Sequence, residues 1–228
     1  MRTAGTCRAI EPLERRRILS AAVSALASPL DSPAASYVPP GAFVFDRNSF
    51  LTQPATGDAL DIGLGYVRAN SSRFGIEPPD VGSPFVTSRY TDATSGITHI
   101  YLRQELNGLE VANADMNVNV TRDGRILSIG CRFVPGLGSR PGPQPIAARL
   151  SSSQALSLAL ANLDVTGMAL GSIPSRLHYV ASPRGAELAW NFQIRTPDGT
   201  HWYDTNVSAD DGSMRFTADW THNLTDYS

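Results

Sequence analysis

The chain has 228 residues, a formal net charge of −2 and 42% hydrophobic residues, enough for one or two domains of ~100–200 residues. That balance argues against a nucleic-acid binder, which usually shows a basic patch, and no apolar run approaches the roughly 20 residues of a membrane span. All 19 basic residues are arginine, and the two cysteines, Cys7 and Cys131, are too few for a disulfide framework.

Arg15, Arg16 and Arg17 precede a mildly apolar run, Ile18–Ala27, that ends in small residues. This is the charged, apolar and cleavage-site order of a secretory signal. Residues 28–56 carry Pro29, Pro33, Pro39, Pro40 and Pro54 and read as an extended leader, because this proline density defeats helices and central strands. Val44, Phe45 and Phe50 are its candidate anchors to a surface. The expected layout is a leader over 1–56, a first module over 57–134, a Pro/Gly linker over 135–150 and a second module over 151–228.

Asp58–Phe74 is predicted as a helix, with Leu60, Leu64, Tyr66, Val67 and Phe74 near one face and Gly63 and Gly65 as weak points. Gly75 and Pro78-Pro79 end it. Phe85–Thr91 then reads as a strand. From Tyr90 to Phe133 three strand-like runs alternate with turn signals. Asn107-Gly108 is a strong type I′ hairpin signal, since that turn needs positive φ at both central residues, and Asp123-Gly124 repeats the device. Ile100, Leu102 and Leu106 share a face. Met116, Val118 and Val120 alternate with polar residues, and Leu127, Ile129, Cys131 and Phe133 do so on the last run. This meander has one oily face, which the preceding helix is placed to cover.

Pro135–Pro145 breaks the pattern. Ser151, Ser152 and Ser153 then offer N-caps to a second helix striped by Ala155, Leu156, Ala159, Leu160 and Leu163. Strands follow at Leu177–Ala181, Glu187–Arg195, Trp202–Ser208 and Ser213–Trp220. Helix then meander, a break, and helix then meander again predict an α+β chain of two tandem modules, each with one helix packed on an antiparallel sheet.

No catalytic constellation is visible. None of the four histidines, His99, His178, His201 and His222, belongs to a His-Glu-x-x-His helix. His201 and His222 have aspartates nearby, but sheet-rim polar residues account for them better than a metal site does. There is no Gly-x-Ser-x-Gly elbow, and Gly63-x-Gly65 lacks the rest of a phosphate loop. The expectation is a chain without enzyme activity and without cofactor. Asn-x-Ser/Thr triplets at Asn70, Asn119, Asn206 and Asn223 are glycan acceptors where the chain is secreted and the site exposed.

The central stretch resembles the propeptide motif shared by fungalysin- and thermolysin-type zinc metallopeptidases. The matching residues are Tyr101, Leu102, Arg103 and Gln104, then Asn107-Gly108, Val111 to Ala114 including Asn113, and Asp123-Gly124 with its closing strand. The second half is similar to the later, PepSY-like part of a fungalysin propeptide, through Trp202-Tyr203-Asp204, Val207, Ala209–Gly212 and Asp219-Trp220. The resemblance implies cystatin-like modules, a secreted chain, and a partner in a zinc metallopeptidase catalytic domain whose folding the chain assists and whose cleft it occupies. Asp219 and Trp220 are the expected cleft-proximal contacts. Three settings stay open: a truncated precursor, an excised fragment, or a free-standing inhibitor acting in trans. An extracellular binding module unrelated to peptidases is the alternative from another class.

Overall fold

A computed structural model describes residues 37–139, 148–167, 169 and 171–221. The signal-like run, Cys7, His222, Asn223 and half of the Pro/Gly linker lie outside them. Nine strands form one mixed sheet: β1 (Ala42–Phe45), β2 (Phe85–Thr91), β3 (Thr98–Leu106), β4 (Leu109–Val120), β5 (Ile126–Cys131), β6 (Ser175–Ser182), β7 (Gly185–Arg195), β8 (Trp202–Ser208) and β9 (Met214–Asp219). The helices are α1 (Ala59–Ala69), the short α2 (Pro78–Val81) and α3 (Ser152–Asn162).

In the first half the order is β1-β5-β4-β3-β2, all antiparallel. Helix α1 covers one face, and Leu64, Val67 and Phe74 pack on Ile100, Leu102, Met116, Val118, Val120 and Ile129. Asp58 caps α1 by accepting the Leu60 N–H at 2.8 Å, and Arg89 of β2 grips the same carboxylate at 2.7 Å. Hydrogen bonding to Arg89 is the main reason that carboxyl lies below the usual aspartate range. Gly63 does more than weaken the helix. A Cβ there would stand 2.7 Å from the Val118 side chain, so its absence lets α1 lie directly on β4. The helix is also shorter than predicted, and Ser71–Phe74 continues it as a 3₁₀ turn.

Three features go beyond or against the expected pattern. Residues 42–45 of the expected leader pair with β5, and Val44, one of its candidate anchors, enters the core. Phe50 lies under the Arg125 guanidinium, 3.9 Å from its ring centroid. Second, Leu127 is not a core position. The β4–β5 register slips between Asn119 and Val120, so Ile126 faces inward instead. Third, Asp123-Gly124 does not copy the Asn107-Gly108 turn. Both Asn107 and Gly108 have positive φ, but only Gly124 does in the second turn, where the Thr121 N–H donates to the Arg125 carbonyl. Gly124 is also held against the Ala55 backbone, where a Cβ has no room.

In the second half β6-β7-β8-β9 run antiparallel under α3. Ser151 and Gln154 form a capping box, and Ala155 and Ala159 pack on Phe192, Ile194 and Val207. The halves are not separate. Residues Val111 and Ala112 of β4 pair in parallel with Tyr179 and Val180 of β6, and Val111, Ala114, Val134, Leu137 and Ala181 make a small core across the seam. Leu137, inside the expected linker, is buried in this seam core beside Val134, the last residue of the expected first module.

Candidate docking surface

The residues that carry the propeptide resemblance divide into those that shape the sheet and those that face outward from it. Gln104 belongs to the first set. Between Arg103 and Glu105 the β3–β4 register jumps, so that one residue of β3 stands against Val111–Ala114 of β4. Gln104, 1% exposed, fills that gap. Its amide donates to the carbonyls of Val134 at 3.0 Å and Asp80 at 3.2 Å, and its Oε1 accepts the Val134 N–H at 2.7 Å. Buried Asp80 completes the clamp by accepting the backbone N–H groups of Glu77, Gly136 and Gly138 at 2.8–3.0 Å. The two side chains hold the chain leaving β5 against α2.

Asn113 takes φ +65 inside the same bulge, and its amide donates to the Tyr37 carbonyl at 3.3 Å. Val111 is fully buried in the seam core. Asn107 donates across the seam to the Tyr179 hydroxyl at 3.2 Å, and Gly108 is bonded to the Glu105 carboxylate. Arg103 bonds Asp115 at 2.9 Å and Glu110 at 3.1 Å, and Arg176 of β6 joins Glu110 at 3.2 Å. These residues fix the bend in β4 and the place of β6 beside it.

The face of the first half-sheet away from α1 is different. Register places Phe43, Gly130, Asn117, Tyr101 and Ser88 in one row across β1-β5-β4-β3-β2, and Phe45, Ser128, Asn119, His99 and Tyr90 in the next. Phe43 is 61% exposed, Tyr90 51% and Tyr101 40%, and Phe45 and Phe85 are also exposed. Tyr90 stacks on His99 with ring centroids 4.9 Å apart, and Phe43 packs beside Phe45 at 5.4 Å. At the centre Gly130 leaves a dip, since a Cβ there would strike the Asn117 amide. The result is a shallow groove lined by Val38, Phe43, Tyr90, Tyr101, Asn117 and Arg132. Its chemistry is aromatic and amphipathic, the composition of a protein-docking surface. Every residue of β2 is exposed.

Cys131 is buried, and burial pushes its thiol up to about 11, so it is a core residue and no nucleophile. Among the described residues no group of three or more His, Cys, Asp or Glu side chains could hold a metal ion. Nor is any helix among them long and apolar enough to cross a membrane.

At the far end of the second half, Asp219 accepts the Thr221 N–H at 3.0 Å and the Thr221 hydroxyl at 2.6 Å, and its other oxygen lies 2.5 Å from His201 Nδ1. Burial, which would raise its pKa, is outweighed by these bonds, and the carboxyl falls well below the usual aspartate range. Trp220 packs edge-on against Trp202 at 4.6 Å, and Arg195 lies over Trp202 at 4.2 Å. The two expected contacts therefore sit together, partly buried, at one rim of the sheet.

The acceptor triplets fare unequally. Asn70 caps α1 through its amide, which donates to the Tyr66 carbonyl at 2.9 Å. Asn119 is half-buried on the open face, donating to Ser128 Oγ at 2.9 Å. Asn206 is 5% exposed with its Oδ1 2.5 Å from His178 Nε2, so the folded chain has no room for a glycan there and that expectation is withdrawn.

Known proteins share part of this chain. Residues 86–133, which take in all but the first residue of β2 and the whole of β3, β4 and β5, match the Fungalysin/Thermolysin Propeptide Motif. The motif marks a propeptide region rather than a catalytic domain. The chain is 28% identical to an extracellular metalloproteinase of Pyrenophora tritici-repentis over 84% of its own length and 32% of that protein's. It is 32% identical to extracellular metalloproteinase 10 of Coccidioides posadasii over 79% of this chain and 29% of the relative. It thus spans about a third of the length of the relatives it matches. Among solved structures, the Bacillus megaterium YpeB C-terminal domain aligns with 78% of this chain and 71% of its own at a TM-score of 0.38 and 10% identity.

Proposed function

We propose that this chain is the propeptide of a secreted fungalysin-type zinc metalloendopeptidase, and that it inhibits the enzyme and assists its folding by occupying the substrate cleft. The observation that carries this reading is the coincidence of the propeptide motif with the strands that build the open aromatic face. A cystatin-like description of each half belongs to the same proposal, supported by one long helix packed on one antiparallel sheet in each.

Mechanistically, Phe43, Tyr90 and Tyr101 supply rigid apolar area to a folded partner, and the edge of β2 that has no strand beside it among the described residues offers backbone groups for strand addition. The Asp219–Trp220 rim is the cleft-proximal element. A partner surface bound only by native enzyme stabilises that enzyme by mass action. The span of about a third of the relatives' length favours a partner in cis within a longer precursor, and an isolated chain acting in trans uses the same surfaces. Asn70 is the proposed glycan acceptor; a glycan on Asn119 would cover the open face, so the two proposals exclude each other there.

The test is titration of a fungalysin-type peptidase with the purified chain while cleavage of an unrelated substrate is followed. Saturation at one chain per enzyme, with faster recovery of activity on refolding, supports the proposal. A chain that neither inhibits nor speeds refolding is a protein-binding module of the same architecture and not a propeptide.

A further inference from the structure

One buried ionisable group takes no part in the surfaces described so far. His178 lies on β6 next to Tyr179, which pairs with β4, and it faces away from α3. It is 3% exposed. Its Nε2 is 2.5 Å from Asn206 Oδ1. The Asn191 amide donates to Asp204 at 2.5 Å and lies 3.3 Å from that same Asn206 oxygen, which identifies the oxygen as an acceptor. The His178 Nε2 therefore carries the proton and Nδ1 holds the lone pair. Nδ1 is buried and has no hydrogen-bond partner among the described residues.

We propose that His178 is an acid-sensitive lock on the second half of the sheet: protonation at Nδ1 would place an unpartnered N–H on a buried cation beside the β4–β6 seam, so acidification opens β6–β9. The proposal goes beyond the propeptide reading and stands without it. The charged groups facing the ring do not supply a partner. Arg176 on the same strand repels a second cation. Glu110 of β4 is already bonded by Arg103 and Arg176, and Asp204 of β8 by Asn191. Burial, the largest influence, pushes the His178 pKa down, and Arg176 adds to it against the Asn206 bond, Asp204 and Glu110. A depressed folded-state pKa makes the unfolded chain the better proton acceptor. Stability is therefore full above the ordinary histidine pKa of about 6.5 and falls below it.

The three tryptophans, Trp190, Trp202 and Trp220, all lie in the second half, so their fluorescence reports on it alone. The experiment is urea unfolding of the full chain and of His178→Gln, read by tryptophan fluorescence between pH 8 and pH 5. The Gln side chain keeps a donor for Asn206 but has no proton to gain. The expected result is that the unfolding constant of the parent chain rises relative to that of H178Q by up to about tenfold per pH unit below 6.5, the slope of one linked proton. Identical pH profiles would overturn the proposal. Should H178Q fail to fold, NMR titration of His178 in the parent chain decides the question. A folded-state midpoint below that of an unfolded histidine upholds the lock, and one at or above it overturns it.

Discussion

The two halves of the molecule follow one sequence pattern and reach different degrees of closure. In the first, fifteen buried residues form one core among the described positions, and the Gln104–Asp80 clamp ties the chain after β5 back onto it. In the second, the core beneath α3 has five such residues, and the sheet's other face buries polar groups, His178, Asn206 and Ser208. Apolar burial stabilises in proportion to the area removed from water, whereas a buried polar group costs stability wherever its hydrogen bonds are incomplete, as at His178 Nδ1. A shared helix-and-meander pattern therefore sets shape but not stability, and the half that carries the outward-facing aromatics is also the more firmly built one.

That contrast is open to attack at several points. The largest effect is expected from Gln104→Ala, which leaves two carbonyls and one N–H buried without partners. It should cost about 3 kcal/mol in denaturant unfolding, with amide exchange in β3–β5 accelerated beyond that in β7–β9. Equal acceleration in both halves would mean that the clamp stabilises the whole sheet. Next, Gly63→Ala forces α1 off β4 and should cost about 2 kcal/mol. Gly65→Ala, two residues on and with open space around it, should gain up to about 1 kcal/mol from helix propensity. The pair, measured by thermal unfolding, separates close packing from backbone entropy within one helix.

A smaller effect concerns acid. Burial raises the Asp211 pKa, but bonds from the Ser213 hydroxyl and N–H together with Arg215 outweigh it and hold the carboxyl at about 2. Its contribution is present above the unfolded value of 3.8 and is lost as pH falls through about 2, so Asp211→Asn should flatten the acid limb of tryptophan-detected unfolding in that window. The smallest effect on stability belongs to the double substitution Tyr90→Ser, Tyr101→Ser on the open face, expected within about 0.5 kcal/mol of the parent. The same chain should lose inhibition of the peptidase by tenfold or more. Undiminished inhibition would move the docking site off this face.

Much of the fold was legible because period-two alternation and turn chemistry are local. Phe85–Thr91 and Trp202–Ser208 match their predicted bounds, and Asn107-Gly108 forms the expected turn. What was not legible depended on distant partners. Residues 42–45 look like proline-flanked leader until β5 is there to pair with them. Leu127 looks inward-facing until a bulge exchanges it for Ile126. The parallel β4–β6 seam has no local signal at all, since Val111 reads as one more strand residue. On the open face the sequence named Tyr101 but missed Phe43 and Tyr90, which join one surface only through the sheet register. Their signal was the aromatic residue at every second position, as in Phe43 and Phe45.

The bend in β4 has a consequence for the order of assembly. Residues 116–120 of that strand are satisfied by β5, which follows within a tight turn, whereas 111–112 wait for β6, far along the chain. Loop-closure entropy favours the near pairing first. The first half can thus close on its own while leaving a short templating edge, and the second docks onto it later. Asn107 and Glu110, which bind Tyr179 and Arg176, then act as the landing contacts of a slow, long-range step. Changes at these two positions should alter the rate at which the tryptophans become buried on refolding more than the rate at which the first sheet forms.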